Sequence, residues 1–209
     1  TTTSGTISSG ETSTSSGTVS ATTTPTTTTT PTATTTANPR QTVEIYSGND
    51  LHGTAYSSFD TFSRMAAYLK NRQAVSPNTL VLASGDMFQG TALSNYYRGR
   101  PIVEILNAAG FDAFTLGNHE FDWGIDQIAL YRDGNPDNGE LAGPVLAANI
   151  VNKTTLEPMS WTQPYFVHET NGLRIGVIGV IGDVINSISA SRVADYEFTD
   201  ALTAVAQYS

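Results

Sequence analysis

Thr79-Leu80-Val81-Leu82-Ala83 is an unbroken apolar run of strand length, and it limits the folds open to this chain more than any other stretch. A strand apolar on both faces must be covered on both, the condition of a central strand in an α/β sheet. The flanking segments agree. Val43-Glu44-Ile45-Tyr46 alternates as a strand does. Between the two, Phe59, Phe62, Met65, Ala66 and Leu69 recur at helical spacing within 57–74, with Ser57 or Ser58 as the N-cap. Pro101 opens Ile102-Val103-Glu104-Ile105-Leu106-Asn107-Ala108-Ala109 and Gly110 closes it, the proline-first, glycine-last asymmetry of a helix. Phe111-Asp112-Ala113-Phe114-Thr115-Leu116 reads as a short buried strand. Strand, helix, strand, helix, strand predicts parallel pairing through helical crossovers, an α/β fold.

Each strand runs out into a polar knot. The first ends in Asn49-Asp50-Leu51-His52-Gly53, the second in Gly85-Asp86-Met87-Phe88-Gln89-Gly90, the third in Gly117-Asn118-His119-Glu120-Phe121-Asp122. In open α/β sheets ligands sit beyond the carboxyl ends of the strands, so three knots there imply one site. Carboxylates, imidazoles and an amide in one place are costly to desolvate unless they bind a metal, a substrate or each other. Residues two apart on extended backbone point the same way, so Asp50 and His52 can aim a carboxylate and an imidazole at one point. Asp86 follows a glycine in a tight turn, and its two oxygens can bridge two cations about 3.5–4 Å apart. Asn118 offers an amide oxygen that ligates without adding charge. His119 precedes Asp122 by three residues, so that carboxylate can fix the ring's tautomer. Oxygen and nitrogen donors without sulfur suit zinc, manganese or iron. A pair of such ions can bind phosphoryl oxygens, activate a water and stabilise in-line attack, with an imidazole protonating the leaving alkoxide.

Plainer roles exist for each residue alone: caps for Asp50 and Asp86, a packed histidine for His52, a left-handed turn for Asn118. The coincidence of three knots argues against them jointly. Glu120 reads as a local structural carboxylate, His168 as an ordinary strand residue, Asp183 as a turn or cap, and Phe121 and Trp123 as packing under the loop.

Beyond Trp123 the pattern weakens. Asp133 to Gly143 is a polar loop, and Val145 to Ile150 reads as a strand ending at Asn149. Tyr165 to His168 and Arg174 to Ile181 read as strands turned by Asn171-Gly172 as a hairpin. Thr199 to Tyr208 begins a helix. At the other end, residues 1–39 are Thr, Ser, Gly, Ala and Pro with almost no large apolar side chain. Such a segment cannot offset its ordering entropy and is expected to be disordered, as a flexible linker or an O-glycosylated stalk. Either favours export: an extracellular, cell-surface or periplasmic location. Asn152-Lys153-Thr154 fits an N-glycosylation acceptor.

The net charge of -9 argues against non-specific binding to nucleic acid or an anionic membrane surface. A small phosphate ester remains open as a partner, because a bound cation outweighs global charge locally. The absence of cysteine excludes disulfides and thiolate metal sites within these residues. No apolar run approaches the roughly 20 residues of a membrane span. The chain starts at Thr1 without a methionine and ends at Ser209 inside a helical pattern, which reads as a fragment or processed form.

Together, Asn49 to Gly53, Gly85-Asp86 and Gly117 to Asp122 resemble the first three motifs of calcineurin-like metallophosphoesterases. Gly-Asn-His-Glu-Phe-Asp followed by Trp123-Gly124 resembles the secreted 5'-nucleotidase branch, and Ala148-Asn149-Ile150 and Gly176-Val177-Ile178-Gly179 are similar to its later core segments. The resemblance implies a β-sandwich flanked by helices, with 40–209 as the N-terminal part of the domain. It implies two divalent ions: Asp50 and His52 hold the first, Asp86 bridges, and Asn118 holds the second. It implies that His119 and Asp122 form the catalytic dyad, and that a nucleoside 5'-monophosphate is hydrolysed. Cyclic-nucleotide phosphodiesterase, nucleotide-sugar hydrolase and thiosulfate-ester hydrolase activities share these motifs, and a non-catalytic surface binding module is the alternative of another class. The family draws two more metal histidines from downstream motifs. Only His168 follows here, outside such a motif, so these residues alone are expected to be nearly inactive.

Overall fold

A computed structural model describes residues 40–54 and 59–209. The Thr-rich segment, the N-cap candidates Ser57 and Ser58 and the Phe59 side chain lie outside the described residues. Strands β1 (Glu44–Gly48), β2 (Thr79–Ser84) and β3 (Ala113–Thr115) alternate with helices α1 (Phe59–Val75), α2 (Ala92–Tyr96) and α3 (Arg100–Ala109). With β4 (Val145–Leu146) they form a four-stranded sheet in the order β1-β2-β3-β4, every pair parallel. The expected α/β class is therefore present. The run at 79–83 is central: Leu80, Val81 and Ala83 are buried from both faces.

Helix α3 buries Ile102, Val103, Leu106 and Ala109 completely, one face at helical spacing. Each large side chain so covered contributes about 1.5–3 kcal/mol. Gly110 ends the helix in a left-handed conformation at φ 82°, which glycine adopts without a Cβ penalty. Phe62 and Leu69 of α1 are buried in the same core, but Met65 is 37% exposed. Met65 shares the helical spacing yet falls at the solvent margin of the stripe.

The chain does not run on as one strand from Val145 to Asn149. It breaks into β4 and β5 (Ile150–Asn152), which belong to different ladders. Asn149 makes the break. Its buried side chain donates to the Ile181 and Thr199 carbonyls at 2.9 Å each and accepts from Ile181 N–H at 2.9 Å. Those bonds replace ladder partners and turn the backbone toward β8 (Tyr196–Phe198), which pairs antiparallel with β5. Strands β6 (Tyr165–Thr170) and β7 (Leu173–Ile178) form the expected hairpin. Asn171 at φ 46° and Gly172 at φ 78° supply the two left-handed positions of a two-residue turn. Strand β8, helix α2 and helix α4 (Ile125–Ala129), just after the third knot, carried no clear signal. Helix α5 (Ala201–Tyr208) starts at Asp200, whose carboxylate accepts from Thr203 N–H at 2.8 Å.

Candidate metal centre

Parallel pairing sets the exits of β1, β2 and β3 side by side, and the loops that leave them are stitched together. Asp50 N–H donates to the Gly85 carbonyl at 3.1 Å, His52 N–H to that of Asp86 at 3.0 Å and Gly53 N–H to that of Met87 at 2.9 Å. Asp50, His52 and Asp86 all hold left-handed backbone, with φ of 55°, 48° and 57°. Such conformations cost about 1–2 kcal/mol each and persist where the surroundings over-determine them. The third loop closes on the second through Gly117. A Cβ there would overlap Asp86 Oδ1 and stand 2.7 Å from Asp86 N. His119 N–H then donates to Asp86 Oδ1 at 2.9 Å.

This stitching gathers His52, Asp86 and His119, whose ligand atoms lie within 4.8 Å of one another. The two imidazoles meet edge to face with centroids 4.8 Å apart. Each is held by Nδ1. His52 Nδ1 lies 3.0 Å from the Gln89 carbonyl, which can only accept, so this nitrogen carries a proton and Nε2 is the ring atom open to a ligand. That Nε2 stands 3.6 Å from Asp50 Oδ1. His119 Nδ1 donates in the same way to Asp122 Oδ2 at 2.8 Å. Asn118 is half-buried ahead of the short 3₁₀ turn His119–Phe121, with right-handed φ -73° and not the left-handed turn considered for it. The His52 imidazole and the Asp86 carboxylate, with His119 beside them, supply nitrogen and oxygen donors of the kind that fit a divalent cation such as zinc or manganese.

The Asp122 hydrogen bond holds the His119 ring above its ordinary pKa, helped by the charges of Asp122, Asp86 and Glu120 against partial burial. Its contribution to stability is therefore full below the ordinary imidazole value and fades as pH rises through the higher folded value. Asp122→Asn is expected to return the ring toward its ordinary value in the metal-free chain. Chemical-shift titration of His119 by NMR reads this directly, and an unmoved titration would contradict it.

Other candidates fall elsewhere. His168 lies in β6, near Asp112 at the start of β3, the end opposite the knots. Asp112 is itself tied to Val81 N–H at 2.8 Å, and burial pushes its carboxyl up. Asp183 is exposed beyond β7. Phe121 is buried and meets Phe198 edge-on at 5.6 Å, so it packs as expected. Trp123 is partly buried, with the Arg98 guanidinium 5.9 Å from its ring. The Gln89 carbonyl gave no sequence signal, because a backbone group leaves none in residue type.

Residues 49–199 match the family described as Calcineurin-like phosphoesterase. Endonuclease YhcR of Bacillus subtilis is 32% identical over 185 residues, 78% of this chain and 15% of the relative. The Treponema pallidum protein named "Probable 5'-nucleotidase" is 36% identical over 146 residues, 69% of this chain and 23% of the relative. The crystal structure of a 5'-nucleotidase precursor from Thermus thermophilus superposes with a TM-score of 0.67 at 25% identity, covering 79% of this chain and 33% of that one. The chain thus spans less than a quarter of both of those curated relatives. With the strand-exit cluster of His52, Asp86 and His119 lying inside the matched residues, the chain belongs to the calcineurin-like phosphoesterase family of hydrolases.

Proposed function

We propose that the whole protein hydrolyses nucleoside 5'-monophosphates to nucleoside and phosphate, outside the cytoplasm. The observation that carries this is His119: its Nδ1 is anchored on Asp122, which leaves Nε2 directed away from that anchor, within a cluster that includes Asp86 and His52. Asp50, His52, Asp86 and Asn118 would hold the divalent ions. Bound there, two divalent ions supply Lewis acidity at the phosphoryl oxygens and a water of lowered pKa. Attack of water oxygen on phosphorus breaks the bond to the 5' oxygen, which must take up a proton as it leaves. His119, its ring held above the ordinary value, offers that proton from Nε2, and Asp122 steadies the imidazolium. The 5'-nucleotidase relatives support the nucleotide substrate, and the Ser/Thr/Pro tract at 1–39 supports export.

The test is hydrolysis by the full-length protein, read by separating substrate from product, of AMP, a 2',3'-cyclic nucleotide, a nucleotide sugar and a short oligonucleotide in the presence of manganese or zinc. The oligonucleotide is included because one relative is named an endonuclease. AMP is expected to be turned over fastest, with kcat depressed about 10²–10⁴-fold by His119→Ala, the usual scale for one proton-transferring group. Preference for another ester would overturn the substrate, and no hydrolysis of any would favour a binding module.

A further inference from the structure

Glu120 sits in the third knot, yet it is 1% exposed and absent from the cluster of candidate ligands. A fully buried carboxylate is costly unless every lone pair that matters finds a donor. Here the donors are backbone amides of two separate loops. Glu120 Oε2 accepts from Gly117 N–H at 2.6 Å and from Asp86 N–H at 2.7 Å, and Oε1 accepts from Met87 N–H at 2.8 Å. One side chain thus clamps the loop after β2 to the loop after β3. The clamp closes on either side of Asp86, at its own amide and at the next. We propose that Glu120 is a positioning residue for the metal centre: by holding the Asp86 and Gly117 amides it sets where the Asp86 carboxylate points, and so sets metal affinity without touching the metal.

The geometry explains why a carboxylate is needed there. Two oxygens accept three N–H bonds, and both must be acceptors. In Glu120→Gln one oxygen becomes an amide nitrogen that donates. If the oxygen stays toward Asp86 and Gly117, a donor faces Met87 N–H; if the amide flips, donors face the other two. Either way a buried N–H loses its partner, and Asp86 loses the constraint on its left-handed backbone.

This inference rests on the reading that Asp86 is a metal ligand. The test titrates manganese or zinc alone into the full-length protein by calorimetry and follows thermal unfolding of the metal-free form. The unsubstituted chain is compared with Glu120→Gln and with Asn149→Ala, which breaks a buried polar network with Ile181 and Thr199 that none of the candidate ligands joins. Glu120→Gln is expected to bind metal about 10- to 100-fold more weakly, the scale seen when residues that orient metal ligands are changed. Asn149→Ala is expected to unfold at lower temperature with its metal affinity unchanged. Equal affinity in Glu120→Gln and the unsubstituted chain would overturn the inference, as would an equal loss of affinity in Asn149→Ala. No binding by the unsubstituted chain would overturn the metal reading itself and this inference with it. A measurement on the unsubstituted protein covers the case in which Glu120→Gln does not fold. The amides of Asp86, Met87 and Gly117 should exchange slowly with solvent deuterium before metal is added; rapid exchange would overturn the clamp.

Discussion

Asp86→Ala is expected to leave the full-length protein folded but unable to retain a divalent ion, and to lower its kcat/KM on the order of 10³-fold. The size follows from the chemistry assigned to the site. Metal ions stabilise transition-state charge by several kcal/mol, and about 4 kcal/mol corresponds to roughly 10³-fold in rate. The folded state survives because Asp86 lies on a loop and its side chain makes one described hydrogen bond, from His119 N–H. The buried clamp on its backbone is made by Glu120 and does not involve the Asp86 side chain. Metal analysis of the purified variant beside its circular dichroism spectrum checks both halves.

The gathering of His52, Asp86 and His119 was legible because its signal is local twice over. Residue type marks Asp50, His52, Asp86, Asn118, His119 and Asp122 as donors, and each knot directly follows an apolar run that identifies itself as a strand. Parallel pairing then does the rest, since neighbouring strands must end at the same edge of the sheet. Helix α3 was legible for a similar reason: Pro101 and Gly110 act through their own backbone geometry. The break at Asn149 was not, because its cause lies 32 and 50 residues away at Ile181 and Thr199. An apolar run has the same pattern whether it forms one strand or two. Met65 failed for a related reason: helical spacing gives the stripe, and only the sheet beneath decides how wide it is. Glu120 was legible as structural but not as a clamp, since its partners are amides of another loop.

Gly117→Ala should weaken metal binding about 10- to 100-fold although no donor is altered. Gly117 is not among the glycines in left-handed backbone, so alanine is conformationally acceptable there. The obstacle is Asp86, whose Oδ1 occupies the space of the new methyl group. The third loop must back away or the carboxylate must turn, and disturbing what orients a metal ligand costs about 10- to 100-fold in affinity. Overpacking of this kind also destabilises by about 1–3 kcal/mol. Gly182→Ala is the matched control, because nothing lies within 4 Å of its new Cβ. Calorimetric titration of both variants with manganese separates the steric account from a general intolerance of alanine.

The most direct test of the metal centre is the number of divalent ions retained per chain, measured by elemental analysis on the folded full-length protein and on its Asp86→Ala variant. At least one tightly held ion in the former and none in the latter is the predicted result. A folded chain that holds no ion, or an ion that remains after Asp86 is removed, would contradict a metal centre built from the three strand exits.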